Sequence, residues 1–349
     1  MTERPLITLI IPFYNHINFV DDAVRSALAQ DYPNCELVFS DDCSTDGTGE
    51  RIRELVAGYR GPHKIIVNIN DCNLGLGAHM AKIFSLCNGE WIVTQGGDDV
   101  ALPNRISVIA TYAKRYPRAT AIGVSAFAID ENGVQIGESH CVDSPVIYNR
   151  IVDGSGPVSM SLNPGDNVSF AMIIGAMAAY RRDVINFAKF NAWIGVEDLY
   201  LCWRAILLGD IVFAPERCAM QRINPKSLTR NMRKGGSRRM RREKRRQLHG
   251  RIYSTYQSLL EEAKEYPLFV PKEWLCAVER YNAIEQLILV KRGPVSLNNV
   301  YKYYSDFETS GMKVRSLWKM AFRLGSHWQL VKMFVYGCVA GAFRHRKEV

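Results

Sequence analysis

The sequence predicts an α/β fold: a mostly parallel, doubly wound sheet over residues 1–225, followed by an α-helical region over residues 226–349. Three observations predict it. Short apolar runs alternate with helical spacings from residue 6 to about residue 129, the β-α-β-α pattern of crossover connections. Two of these runs end in acidic clusters, Asp41-Asp42 and Asp98-Asp99, and open α/β sheets bind ligands at the carboxyl ends of their strands. Beyond about residue 225 the composition turns basic and the spacing becomes helical.

Taken in order, residues 6–12 (L-I-T-L-I-I-P) read as the first strand. Phe19, Ala23, Ala27 and Leu28 give residues 18–30 a helical stripe. Residues 35–40 are a second strand running into Asp41. Thr45 or Asp46 caps the next helix, whose inner face carries Ile52, Leu55 and Val56. Residues 64–69 are the third strand, Asn73 to Gly77 a glycine turn, and 78–87 a helix. Residues 91–95 form a fourth strand ending at Gly96-Gly97-Asp98-Asp99. Pro103 suits the first turn of a helix over 104–116. Residues 120–129 are a strand, and Glu131-Asn132-Gly133 signals a hairpin. Residues 138–167, rich in Gly, Pro, Ser and Asn, read as a mobile loop over the site. Residues 169–180 are an apolar strand or a strand-helix junction. A helix follows over 197–209 with Leu199, Trp203, Ile206 and Leu207 inward, then a short last strand over 211–214.

The C-terminal part has another character. Helical patterns cover 240–265 and 272–292. Within 311–343, Leu317, Ala321, Leu324, Trp328, Val331 and Val335 form an apolar stripe beside the cations Arg315, Lys319 and Arg323. The uninterrupted apolar run, Met333 to Phe343, falls short of the ~20 residues a spanning helix needs, which predicts an interfacial helix.

The net charge of +9 is localised. Residues 230–251 hold eleven Lys or Arg and a single acid, Glu243, a net of +10, so the rest of the chain carries −1. The protein is therefore a near-neutral body with one basic belt. The belt has no interleaved aromatics, which stacking on single-stranded nucleic acid favours. A polybasic segment with an amphipathic basic helix suits an anionic membrane surface, and a solvated helix face is the plain alternative. Nine cysteines without a C-x-x-C pair read as reduced thiols of a cytosolic protein. The first strand begins within a few residues of Met1, so no signal peptide is expected.

Four motifs carry chemistry. P-F-Y-N at 12–15 places an aromatic and an amide at a strand end, where they can stack on a base and bond its edge; an ordinary strand-to-helix turn uses the same residues. In D-D-C-S-T-D-G-T at 41–48, adjacent aspartates on a strand face opposite ways. One can enter the site and accept the N3–H of uracil or thymine, while Asp46 serves the turn. In G-G-D-D at 96–99, the glycines let the backbone approach a bulky ligand. The carboxylates repel a diphosphate, but they can hold Mg²⁺ or Mn²⁺ bridging to its oxygens. In V-E-D-L at 196–199, two acids open an apolar helix, which the helix dipole favours by itself. A helix start is also where a general base is presented to a cleft.

With I-I-P-F-Y-N, D-D-C-S-T-D-G-T, N-L-G at 73–75, G-E-W-I at 89–92, G-G-D-D and Glu197-Asp198, the chain resembles the family 2 glycosyltransferases of the GT-A fold, a Rossmann-like sheet, over about residues 5–225. The resemblance is to enzymes of the bacterial surface-polysaccharide type. It implies an inverting transfer of a sugar, of hexosyl type, from a nucleotide donor. By motif position, Pro12, Tyr14, Asn15, Asp42, Asn73 and Gly75 line the donor, with Tyr14 near the base and Asp42 binding it. Asp98 and Asp99 hold Mn²⁺ or Mg²⁺ and the donor diphosphate, and Asp198 is the base. Arg222 stands where the family places cations near the diphosphate, and either neutralises the leaving group or is a surface side chain. Gly96 departs from the pattern, since an aspartate often stands there, and its loss weakens the expected ribose contact or metal site.

The resulting expectation is a UDP-sugar-dependent transferase acting on a glycan or lipid-linked glycan. It is cytoplasmic and peripheral on the inner face of the membrane, and it does not bind nucleic acid. Two other classes remain open: a non-catalytic nucleotide-sugar-binding domain, and nucleic-acid binding through the belt.

Overall fold

The computed structural model describes residues 4–139, 157–160, 173–186, 196–223 and 238–265, with a few single positions between 270 and 282. The chain divides into two compact units, Met1–Asn231 and Met232–Val349.

The first unit is built on ten strands and six helices among the described residues. In chain order these are β1 (Ile7–Phe13), α1 (Val20–Leu28), β2 (Cys35–Asp41), α2 (Thr48–Ala57), β3 (Lys64–Ile69), α3 (Leu76–Leu86), β4 (Trp91–Thr94), β5 (Val100–Ala101), α4 (Arg105–Arg115), β6 (Ala119–Ile129), β7 (Gln135–Ser139) and β8 (Val158–Met160). A 3-10 turn (Gly175–Met177), β9 (Ala178–Arg181), α5 (Arg182–Asn186), α6 (Glu197–Leu208) and β10 (Asp210–Arg222) follow. The strand order is β3-β2-β1-β4-β9-β6-β10-β5, with β7 on β6 and β8 on β10.

Register decides which end holds the site. β1 runs parallel to β2 and β4, with Ile7 opposite both Cys35 and Trp91. β2 runs parallel to β3. β9 is antiparallel to both β4 and β6, so β4 and β6 share a direction, and β10 is parallel to β6. The carboxyl ends of β1, β2, β3, β4, β6 and β10 therefore lie on one rim. β5, β7, β8 and β9 are antiparallel insertions, so the sheet is mixed. β1, β2 and β4 are buried along almost their whole length, which is why they read as continuous apolar runs. Trp91, Phe39, Phe213, Leu9 and Ile10 are among the side chains fully removed from water.

Four details differ from expectation. β10 spans thirteen residues, not four. Its ladder slips between Ala214 and Arg217 and again before Ala219. Pro215, which has no N–H to donate, breaks the apolar pattern at that bulge. β8 lies inside the stretch expected to be loop; its three residues pair with Ile211–Phe213. The rest of that stretch beyond Ser139, residues 140–156 and 161–167, lies outside the described residues. α2 begins after Gly47 at φ +90°, not at a Thr45 or Asp46 cap. Asp46 contributes from one position earlier, its Oδ1 accepting the Thr48 N–H at 3.1 Å and its Oδ2 the Ile17 N–H at 3.1 Å. The 173–181 stretch resolves as the 3-10 turn followed by β9. The expected hairpin is present: Asp130 Oδ1 accepts from the N–H groups of Asn132 and Val134, and Gly133 sits at φ +83°.

In the second unit, α7 (Arg238–Glu265) is a single 28-residue helix. Tyr256, Leu259 and Ala263 are buried, and Gln257 donates to Asn282 at 2.8 Å. The expected helix over 272–292 falls mostly outside the described residues, and the apolar stripe over 311–343 entirely so. No described helix is long and apolar enough to cross a membrane.

Candidate active site

Three groups of side chains sit on or against the carboxyl-end rim. The first joins the ends of β1, β2 and β3. Asp42 is 3% exposed. Its Oδ1 accepts from Asn70 Nδ2 at 2.8 Å and the Leu74 N–H at 2.9 Å, and its Oδ2 from the Gly75 N–H at 3.0 Å. A carboxylate has about four acceptor positions, so Asp42 organises the Asn73–Gly75 loop and keeps one for a ligand. Asn73 supports the same turn by accepting from Gly75. Asn15, at φ +55°, accepts from the Thr45 N–H at 3.0 Å, and its own N–H donates to Ser44 Oγ at 2.8 Å. Tyr14 projects beside it with 48% of its surface open, and Pro12 lies in β1 opposite Ser40. Asp41, the partner aspartate, is buried and accepts from the N–H and hydroxyl of Ser44.

The second group is Asp98, Asp99 and Arg222. The Asp98 carboxylate is partly exposed and makes no hydrogen bond among the described residues. Asp99 is buried, its Oδ1 accepting the Arg222 N–H at 2.7 Å. Burial, and then the neighbouring Asp98 charge, pushes its carboxyl up to about 7. A Cβ on Gly96 would stand 2.6 Å from Asp99 Oδ2 and 3.1 Å from Asp98 Oδ1. Asp99 thus leans over the space that a side chain at 96 would take. Gly97 is also closed to a side chain, by the Pro12 carbonyl, the Phe13 ring and His16.

Arg222 is not a surface residue: its side chain is 1% exposed. Nε donates to the Asp98 carbonyl at 2.8 Å, Nη1 to the carbonyls of Asp130 and Glu131, and Nη2 to Asp22 at 2.8 Å. The guanidinium lies 4.9 Å from the Phe19 ring centre. Four of its five donors are spent fastening the Asp98–Asp99 loop to the β6–β7 turn and α1. The geometry makes it a brace for that loop, with one N–H left for an anion.

The third group surrounds Asp198 in the first turn of α6. Its Oδ2 accepts the Gly175 N–H at 3.0 Å. A Cβ on Gly175 would collide with the Asp198 carboxyl group. Burial raises this carboxyl to about 6, against the opposing Gly175 hydrogen bond. That brings a carboxylate into the range where a general base works near neutral pH.

Reading the sequence alone missed four contributors. His16 packs edge-on against Phe13. Its Nδ1 is buried without a partner among the described residues, and burial lowers the ring's pKa against the opposing pull of Asp98, Asp46 and Asp41. Gly175, Thr94 and Arg105 support Asp198. Arg105 alone leaves a trace in the sequence, because a cation in a helix's first turn opposes the dipole.

The fit of a divalent cation follows from the donor set. No group of three His, Cys, Asp or Glu that could hold a metal occurs among the described residues. Asp98, whose carboxylate accepts no hydrogen bond among the described residues, and Asp99, whose ionisation its neighbour's charge opposes, are two adjacent carboxylates that a cation would reconcile. Mg²⁺-type sites commonly use one or two carboxylates and complete the shell with substrate phosphates and water, so the residues fit.

The family model for Glycosyl transferase family 2 matches residues 8–187, just over half of the chain. The chain belongs to this family. It is 33% identical over 201 residues to a protein of Escherichia coli provisionally named colanic acid biosynthesis glycosyl transferase WcaA, covering 57% of this chain and 62% of that one. It is 30% identical over 135 residues to the provisionally named glycosyltransferase EpsE of Bacillus subtilis, covering 39% and 48%. The chain thus spans about half to two thirds of these relatives' lengths. Among solved structures it shares its fold with a mannosyltransferase of Pyrobaculum calidifontis in complex with GDP-Man and Mn²⁺. The TM-score is 0.56 at 16% identity, over 98% of this chain and 87% of that one.

Proposed function

We propose that this protein is an inverting, metal-dependent glycosyltransferase. It transfers a hexosyl group from a UDP-sugar to a hydroxyl of a glycan or lipid-linked glycan, in the synthesis of a cell-surface polysaccharide. The observation that carries the reading is Asp198. It is a carboxylate raised to about 6, held by a backbone N–H in the same unit as the Asp42 and Asp98–Asp99 groups.

Tyr14 and the remaining acceptor position of Asp42 receive the donor base, with Asn15, Asn73 and Gly75 shaping the loops around it. Asp98 and Asp99 would hold Mn²⁺ or Mg²⁺, which when bound offsets the charge of the diphosphate. Arg222 keeps their loop in place. Asp198 accepts the proton of the acceptor hydroxyl as its oxygen bonds to the anomeric carbon. The bond from that carbon to the diphosphate breaks on the opposite face, so configuration inverts. The proton then leaves Asp198 for solvent.

We assign residues 1–225 to catalysis and 226–349 to association with the inner face of the cell membrane. Thermal shift with UDP-, dTDP- and GDP-sugars in Mn²⁺ is the direct test. Stabilisation by one UDP-sugar, with slow donor hydrolysis that EDTA abolishes, is expected. Donor binding without any turnover in the presence of acceptor glycans would instead support the non-catalytic reading that the departure at Gly96 suggests.

A further inference from the structure

The Asp198 carboxyl makes one hydrogen bond among the described residues, to the N–H of Gly175. Its position is therefore set by the Gly175–Met177 turn, and that turn is itself held from beneath. Thr94, the last residue of β4 and 7% exposed, shares its single hydroxyl proton between the carbonyls of Gly175 and Ala178, the latter at 3.1 Å. Arg105, with no exposed surface, sends Nη2 to the Thr94 carbonyl at 2.6 Å and to the Ala176 carbonyl at 2.8 Å. Three of the four carbonyls from Gly175 to Ala178 thus end on two side chains of a different part of the fold. Arg105 Nε and Nη1 have no partner among the described residues. A buried guanidinium left so incompletely bonded is costly to keep, and its bonds go to these two backbone segments.

The other end of this contact reaches the donor side. Thr94 precedes Gln95, whose Nε2 donates to the Asp99 carbonyl at 3.0 Å, and Gly96-Gly97-Asp98 follow. One buried pair therefore touches the strand end carrying the Asp98–Asp99 loop and the turn carrying the Asp198 partner.

We infer that Thr94 and Arg105 are positioning residues for the transfer step: a buried strut that sets the base carboxylate of Asp198 at a fixed place relative to the donor-holding loop, without touching substrate. The inference rests on the reading of Asp198 as the base. Misplacement of a reacting group by about 1 Å can cost on the order of a hundredfold in rate, whereas donor affinity depends on contacts that the strut does not make. Loss of the strut should therefore lower kcat and spare donor binding.

The test uses the full chain carrying Thr94→Val, Thr94→Ser, Arg105→Met, Arg105→Lys and Asp198→Asn. Folding is checked by circular dichroism and thermal melting, UDP-sugar affinity by calorimetry, and transfer by single-turnover rates. Thr94→Val, nearly isosteric, is expected to lower the transfer rate about ten- to hundredfold with donor Kd within twofold, and Thr94→Ser to restore most of it. Arg105→Lys should retain more rate than Arg105→Met; if the latter does not fold, the Thr94 pair decides alone. Adding Thr94→Val to Asp198→Asn should cause no further loss. A wild-type rate in Thr94→Val beside an inactive Asp198→Asn overturns the strut and leaves the base intact. Equal losses of rate and donor affinity in Thr94→Val also overturn it, as general loosening. A fully active Asp198→Asn removes the base and the strut with it.

Discussion

In the role proposed for Asp198, one residue's environment bears on both activity and stability. Its carboxyl is raised to about 6 in the folded chain against an ordinary value near ~3.9. As the proposed base it must be ionised, so kcat/KM should climb through about pH 6 and level off above. Asp198→Asn should remove about 10²- to 10⁴-fold of the rate and leave donor affinity unchanged; normal turnover by this variant would sink the assignment. The stability sign is the reverse. A carboxyl whose folded pKa exceeds its unfolded one binds protons more readily when folded, so the native state loses stability as pH rises from about 4 to about 6. Asp198→Asn lifts that cost. At pH 7 it should melt higher than the parent, by up to roughly 3 kcal/mol at 1.36 kcal/mol per unit, and show no gain at pH 4. Equal melting temperatures at both pH values would mean that the carboxyl is not destabilised. Arg222 makes the opposite point. Its residue type suggested a diphosphate contact, yet its neighbours turn it into a brace, because a guanidinium with four donors engaged has little left to offer a ligand.

Among the elements, β2 carries the site at one end and a polar lock at the other. Glu36 has no exposed surface. It accepts from Thr8 Oγ1 at 3.0 Å, the Asn88 N–H at 2.8 Å, Asn88 Nδ2 at 3.0 Å and Lys64 Nζ at 2.7 Å. Burial opposes its ionisation, but these bonds, led by Lys64 and Asn88, outweigh burial and hold the carboxyl below its usual value. Its stabilisation is therefore present above the unfolded pKa near ~4.3 and fades as pH falls through the lower folded value. Glu36→Ala strands the buried Thr8 hydroxyl, while the exposed Asn88 can turn to water, and a buried orphan costs ~1–3 kcal/mol. Urea unfolding at pH 7 should show a loss of about 1–3 kcal/mol, smaller at pH 3. A loss under 1 kcal/mol at pH 7 would mean that water replaces the carboxylate. The same scale explains what was legible in the sequence. β1, β2 and β4 announced themselves because strands buried on both faces read as near-continuous apolar runs. β10 was cut short by Pro215 at a bulge, and β8, three residues long, is too brief to show a period. In the candidate site, Asp42, Asp98, Asp99 and Asp198 could be nominated because carboxylates at strand and helix ends carry their chemistry in their type. Thr94, Arg105 and Gly175 were not, because their roles arise from contacts across 23 to 84 residues of chain.

At the scale of the whole molecule, charge separates two tasks. Outside residues 230–251 the chain carries −1, and within that window +10. A near-neutral unit gains little from an anionic surface, so the proposed membrane association assigns adsorption to the belt. Each Lys or Arg near an anionic leaflet contributes about 1 kcal/mol, an attraction that fades within a Debye length, ~8 Å at physiological salt. Several of eleven cations in contact suffice for reversible binding, and salt should undo it. The full chain is expected to sediment with vesicles containing phosphatidylserine, to ignore vesicles of phosphatidylcholine alone, and to be released by 0.5 M salt, where screening is nearly complete at ~4 Å. Replacing Arg238, Arg239, Arg241, Arg242, Arg245 and Arg246 by Gln should lower vesicle binding at least tenfold. Donor affinity should stay as it was, because the donor-lining residues all precede residue 223. Persistent binding of that variant would shift the anchor to the apolar stripe over 311–343. Salt-sensitive retention of RNA without vesicle binding would assign the belt to nucleic acid and remove the membrane from the proposed function, while leaving the chemistry of Asp198 untouched.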